Sequence, residues 1–134
     1  MNTCAARFIE TLKVKELNFG VHEPNDETIV TFPYHGRTTL IVFSGSNGDH
    51  VQLITVVEAV PAEHYEEAVL ACNKLNCIYR YVKFFVDKDN DIVTYVDAIV
   101  NEETAGEECF KLLVYNCQTL DEAPRHVIPK GLPF

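Results

Sequence analysis

The chain has 134 residues, 47% of them hydrophobic and 23% charged, the balance of one ordered domain that can hide roughly two-thirds of its unfolded surface without disulfide or metal staples. Eleven Lys and Arg against 20 Asp and Glu leave a net charge of -9, which repels phosphate backbones and anionic lipid head groups and argues against nucleic-acid and membrane partners. Five irregularly spaced cysteines, a start (MNTCAARFIE) without the apolar core of a secretory signal, and no apolar run near the roughly 18 residues of a membrane span place the chain in a reducing cytoplasm.

From Thr3 to about Lys15, Ala5, Phe8, Ile9 and Leu12 recur at the spacing that lines one helical face, so a first amphipathic helix is expected. The segment LNFGVHEPNDE gathers Gly20, Pro24, Asn25 and Asp26 and reads as a connection with room for a short edge strand. Three β-branched and aromatic runs follow, at residues 28–34, 38–43 and 51–60. His35, Gly36 and Arg37 separate the first two, and SGSNGDH, with its Asn47-Gly48 pair suited to positive φ, separates the last two. The result is an antiparallel meander in which Pro33 requires an edge, a bulge or a strand end.

Pro61 suits the first position of a second helix, with Tyr65, Ala68, Val69, Cys72 and Leu75 at helical spacing and Asn76 as its left-handed stop. The runs 81–86 and 92–100 form a second hairpin around DKDND (Asp87 to Asp91). Asn101 is placed to cap a third helix, with Glu102 and Glu103 in its first turn and Cys109, Phe110, Leu113, Cys117 and Leu120 on one face. Pro124 ends that helix. The expected fold is α+β, with an antiparallel five-stranded sheet in the order α-β-β-β-α-β-β-α. It forms a single domain over residues 1–134, with its core at about 3–122 and an irregular tail at 123–134.

The motifs that carry chemistry elsewhere are weak here. A calcium loop starting at Asp87 needs glycine sixth and glutamate twelfth, but those positions hold Ile92 and Ala98. DKDND therefore reads as a turn. Cys72, Cys109 and Cys117 fall on apolar helical stripes, no CxxC pair exists, and His64 is the nearest sequence partner for Cys72 but lacks an orienting carboxylate set by spacing. His22, His35, His50 and His126 fall in predicted turns or the tail, with no i, i+4 pair. GSNG (Gly45 to Gly48) lacks the Lys and Ser/Thr of a phosphate loop and reads as a hairpin turn. No metal and no cofactor is expected.

One hairpin stands apart. Tyr81, Lys83 and Phe85 alternate with Val82, Phe84 and Val86, and Tyr95 and Asp97 lie on the matching side of the partner strand. Both faces are rich in apolar residues. If helices cover the Val82, Phe84, Val86 side, then Tyr81, Lys83, Phe85, Tyr95 and Asp97 make a mixed aromatic and charged surface suited to a partner chain; the alternative is that another helix covers this side too.

The element order, together with NKLNCIYRYVKFFVDKDNDIVTYVDAIV (Asn73 to Val100), resembles the bacterial YbjN family, whose fold is similar to that of type III secretion chaperones. The resemblance runs from the first helix to Leu120, and Asn73-Lys74-Leu75-Asn76 at the end of the second helix is its most telling part. It implies a commonly dimeric domain that binds proteins or acts in sensory regulation, without known catalysis. The expected function is thus a non-enzymatic chaperone-like or regulatory homodimer that binds a protein or peptide client. A small-ligand sensory domain is the alternative, and it would require a closed pocket of about 300 Å³ or more.

Overall fold

The computed structural model describes residues 1–126, and the predicted tail beyond His126 lies outside the described residues. In chain order the elements are α1 (Thr3–Val14), β1 (Gly20–His22), β2 (Thr28–Tyr34), β3 (Arg37–Ser44), β4 (His50–Ala59), a 3₁₀ turn (Ala62–His64), α2 (Tyr65–Ile78), β5 (Lys83–Val86), β6 (Asp91–Ile99) and α3 (Ala105–His126).

Helix α1 begins at Asn2, whose Oδ1 accepts the Ala5 N–H at 3.0 Å while Nδ2 donates to the Phe43 carbonyl at 3.2 Å. One side chain thus caps the helix and ties it to β3. Cys4, Ala5, Phe8, Ile9 and Leu12 are buried, the expected stripe with Cys4 added.

The sheet is antiparallel, with strand order β1-β2-β3-β4-β6-β5. It has six strands, which corrects the expected five. The added strand is the short β1, which pairs with Ile29, Val30 and Thr31 of β2; three residues are too few for an alternating pattern to register in the sequence. Pro33 lies just past the reach of β1, near the end of β2, so its missing N–H leaves no ladder bond unmade. His35 and Gly36 both have positive φ, 48° and 79°, and close β2 onto β3 in the two-residue turn that matches strand twist. The next connection runs from Gly45 to Asp49, with positive φ at Gly45 and Gly48 instead of at the Asn47-Gly48 pair. It serves α1 as well: the Asn47 carbonyl accepts the Cys4 N–H at 3.0 Å, and a Cβ on Gly48 would strike the Asn2 side chain.

Helix α2 buries Ala68, Ala71, Cys72 and Leu75, while Tyr65 and Val69, expected on the packed stripe, stay exposed. The helix also continues through Asn76 to Ile78. Asn76 has no need of the left-handed conformation, because its side chain is engaged elsewhere, as described below. Asn101 accepts through Oδ1 from the Glu103 and Thr104 N–H groups, both at 2.9 Å. That turn precedes α3, whose first-turn acids are Glu107 and Glu108 in place of Glu102 and Glu103. Helix α3 runs two residues past Pro124 to His126. A proline in the final turn removes one helical hydrogen bond without setting the boundary.

Helical residues and alternate sheet residues, among them Val30, Ile41, Phe43, Leu53, Phe84, Ile92 and Val96, form one buried cluster. All three helices therefore lie on one side of the sheet. A polar row crosses that interface where Thr39, Thr55 and Thr94 are cross-strand partners. The Thr39 and Thr55 hydroxyls are 2.7 Å apart, and the fully buried Asn116 of α3 donates to both at 3.3 Å.

Candidate protein-binding face

The residues between those inner ones point the other way. Across the middle of the sheet, Leu40, Ile54, Tyr95 and Lys83 are successive cross-strand partners. On one side of them runs the row Val42, Gln52, Asp97, in which Gln52 Nε2 donates to Asp97 Oδ1 at 2.7 Å. On the other side run Val56, Val93 and Phe85. The Phe85 and Tyr95 rings meet edge-on at 4.7 Å. Val93 is 3% exposed between its neighbours, whereas Val56 is 54% and Ile99 77% exposed. Apart from Val93, the residues of this face are partly or fully exposed, and no helix among the described residues covers it.

Four of the five residues picked out by the hairpin pattern, Lys83, Phe85, Tyr95 and Asp97, lie together on this face. Tyr81 does not. Strand β5 begins only at Lys83, and the Val82 N–H donates to the Arg80 carbonyl at 2.8 Å across Tyr81, whose φ is 69°. That three-residue turn breaks the alternation and carries the Tyr81 ring to 5.2 Å from Tyr115 of α3. Tyr81 thus belongs to the helical side, a correction to the expected surface. Leu40, Val42, Ile54 and Val56 complete the face and were missed by looking at the last hairpin alone. Their signal was present: TTLIVF and VQLITVVEAV are nearly continuous apolar runs, the mark of strands with two apolar faces.

At the end of the face, a solvent-open depression of about 600 Å³ is lined by Glu27, Val42, Ser44, His50, Gln52, Asp97 and Ile99 among others. It is a groove, not the closed cavity that a small-ligand sensor would require.

The remaining candidates take structural roles. DKDND closes the β5–β6 hairpin: Asp87 Oδ1 accepts the Asp89 and Asp91 N–H groups at 2.9 and 3.0 Å, and Asn90 has φ 59°. Cys72, Cys109 and Cys117 are buried, and burial pushes their thiols up to about 11, 12 and 11, away from the reactive thiolate. His64 Nδ1 lies 3.4 Å from Glu67 in its own helical turn. The histidine placements also shift, since His22 lies within β1, His50 opens β4 and His126 ends α3. Near the β2–β3 turn, Tyr34 donates to Asp121 of α3 at 2.7 Å, and His35 Nδ1 is 3.1 Å from the other carboxylate oxygen. The first of these bonds, aided by partial burial, raises the tyrosine to about 12. The sequence carried no sign of this contact across 87 positions.

Three helices on one side of an antiparallel six-stranded sheet define an α+β domain, and its fold is similar to that of a type III secretion chaperone. The YbjN family, described as "Putative bacterial sensory transduction regulator", matches residues 5–120, and the chain belongs to it. Among solved structures it is similar to YbjN from E. coli, described as a putative transcription regulator, with 16% identity over 91% of this chain and 92% of that one and a TM-score of 0.63. It is also similar to the Yersinia pestis type III secretion chaperone SycH, solved in complex with a stable fragment of YscM2, with 12% identity over 91% and 98% of the two chains and a TM-score of 0.57. No curated protein matches it in sequence. No helix among the described residues is long and apolar enough to cross a membrane.

Proposed function

We propose that this chain is a non-enzymatic, cytoplasmic protein-binding domain with a chaperone-like or regulatory role, working as a homodimer. The observation that carries the proposal is the open sheet face: Leu40, Ile54, Tyr95, Phe85 and Val56 stand on one side of the sheet with no helix of the described residues over them. A contiguous apolar surface rimmed by charges marks an interaction site in a water-soluble domain, and Tyr and Phe are its usual anchors. Membership of a family of sensory regulators supports the regulatory side, and the likeness to a chaperone solved with a protein fragment supports the chaperone-like side.

The test replaces Phe85 and Tyr95 together by Ser. Two readouts are taken: mass by sedimentation, and fluorescence anisotropy of a labelled, permanently unfolded test polypeptide. The wild type is expected to show self-association, polypeptide binding or both, and the double variant to lose about tenfold or more in affinity with an unchanged circular dichroism spectrum. If wild type and variant behave alike, the rings take no part in binding, and if the variant unfolds they are core residues; either outcome overturns the reading.

A further inference from the structure

We infer that the outer edge of β6, from Val96 to Ile99, takes up an extended basic polypeptide segment as an added strand, in line with β5 and antiparallel to β6. The inference rests on the protein-binding reading above and names where a client strand is held and by what chemistry. Strand β5 pairs with β6 only from Ile92 to Tyr95, while β6 runs on to Ile99. Past Tyr95 no strand among the described residues lies on that side, because the chain before Lys83 turns through Arg80, Tyr81 and Val82 to the helical side.

The ladder pattern tells which main-chain groups this edge offers. The Val100 N–H donates to the Asp49 carbonyl at 2.9 Å, and in an antiparallel pair every second residue bonds the same neighbour, so Val96 and Ala98 turn to β4 while Asp97 and Ile99 turn to the outer edge. The other half of the strand agrees: Phe84 gives both its main-chain groups to Asn76, which leaves Lys83 and Phe85 to bond Tyr95 and Val93. An antiparallel segment laid beside the edge thus bonds the N–H and the C=O of both Asp97 and Ile99. The other edges are blunted. Strand β1 has three residues, Pro33 on β2 beyond it has no N–H to give, and the Asn76 amide occupies β5.

Charge sets the kind of segment. Asp97 stands on this stretch, Glu102 and Glu103 follow it closely, and all three are exposed. Beside the stretch, on the outer face, lies the depression lined by Glu27, Val42, Gln52, Asp97 and Ile99 among others. A lysine or arginine opposite Asp97, one strand spacing of about 4.8 Å away, pairs with its carboxylate and reaches over β6 towards Glu27. An apolar residue opposite Ile99, which is 77% exposed, covers it, and in an antiparallel segment that residue comes two positions before the cation. A second copy of β6 in the same place would set its own Asp97, Glu102 and Glu103 against these carboxylates, a repulsion deepened by the net charge of -9. A basic segment meets no such opposition.

Backbone methylation of a probe peptide tests this. The probe is a capped heptapeptide of threonines with valine third and arginine fifth, titrated to millimolar concentration into isotopically labelled protein while amide NMR follows each residue. Shifts are expected at Asp97, Ile99 and their neighbours. N-methylation at the valine and arginine, whose N–H groups point to β6, should weaken binding about tenfold or more, whereas N-methylation at the fourth and sixth residues, whose N–H groups point away, should change it little. Glutamate in place of the arginine should also cost about tenfold, as should Ile99→Pro, which removes an edge N–H and no ladder bond. Equal binding by the two methylated peptides overturns the inference however the variant folds, and so does the absence of binding. Binding that ignores methylation but is lost when Phe85 and Tyr95 are both replaced by Ser puts the client on the open face, which overturns the inference and leaves the protein-binding reading standing. A sedimentation mass that Ile99→Pro halves gives the edge to a second copy and overturns it as well.

Discussion

Asn76 of α2 brackets Phe84 of β5 with its whole amide group: the Phe84 N–H donates to Oδ1 at 2.7 Å, and Nδ2 donates to the Phe84 carbonyl at 2.9 Å. A side chain here stands in for the next strand, blunting an edge that would otherwise template pairing with another chain. It also explains why the helix passes through this asparagine without stopping. Replacing Asn76 by Ala leaves both backbone groups without their partner and is expected to cost about 1–3 kcal/mol. Chemical denaturation measures the loss, and light scattering on prolonged incubation should show faster aggregation. A variant as stable and as soluble as the wild type would mean that water replaces the amide without penalty.

The thiols separate by burial. Cys77 is exposed, whereas Cys4, Cys72, Cys109 and Cys117 are buried. A thiol reagent should therefore label one cysteine quickly in the native protein and the other four only on unfolding. Fast native labelling of Cys72 would return it to candidacy as a nucleophile.

The same burial predicts a pH dependence. The Cys72, Cys109 and Cys117 thiols rise from an ordinary value near 9 to about 11, 12 and 11, so above pH 9 the unfolded chain loses protons that the folded chain keeps. Their contribution is fully present below about pH 9 and is lost as the pH climbs through 11 to 12. Thermal melts from pH 8 to 11 should show a falling melting temperature above 9. Replacing the three thiols by Ala or Val should flatten that slope.

The acidic turn depends on one oxygen. Asp87 Oδ1 holds both the Asp89 and Asp91 N–H groups, so Asp87→Ala should cost about 1 kcal/mol, while Asp89→Asn should change little. Millimolar calcium should leave the melting temperature unmoved. A rise that Asp89→Asn abolishes would reinstate a metal loop.

Beneath α3, Asn116 donates to Thr39 and Thr55 from a fully buried position. Asn116→Ala removes these bonds and opens a cavity, for an expected loss of about 2–3 kcal/mol. The triple replacement Asn116→Leu, Thr39→Val, Thr55→Val removes the amide and both hydroxyls it bonds at once and should be far less costly, since none of the groups joined by these bonds is then left without its partner. Denaturation midpoints of the two proteins decide the point. Equal destabilisation would show that packing, and not hydrogen bonding, governs this row.

Local order decided much of this protein before any folding was considered. The spacing of Ala5, Phe8, Ile9 and Leu12, the β-branched runs and the turn DKDND all act between residues close in sequence, and their elements appear within a residue or two of where the patterns placed them. Tertiary contacts decided the rest. β1 exists because β2 offers it three partners, and Asn76 stays helical because Phe84 takes its amide. Tyr81 turns away from the sheet because β5 starts two residues later than its alternation suggests. The open face is the clearest division: the apolar runs showed that both sides of the strands were greasy, but only the packing of α1, α2 and α3 onto a single side determined which of the two they cover. Side-chain period along a strand names two faces equally well, and only the rest of the chain can choose between them.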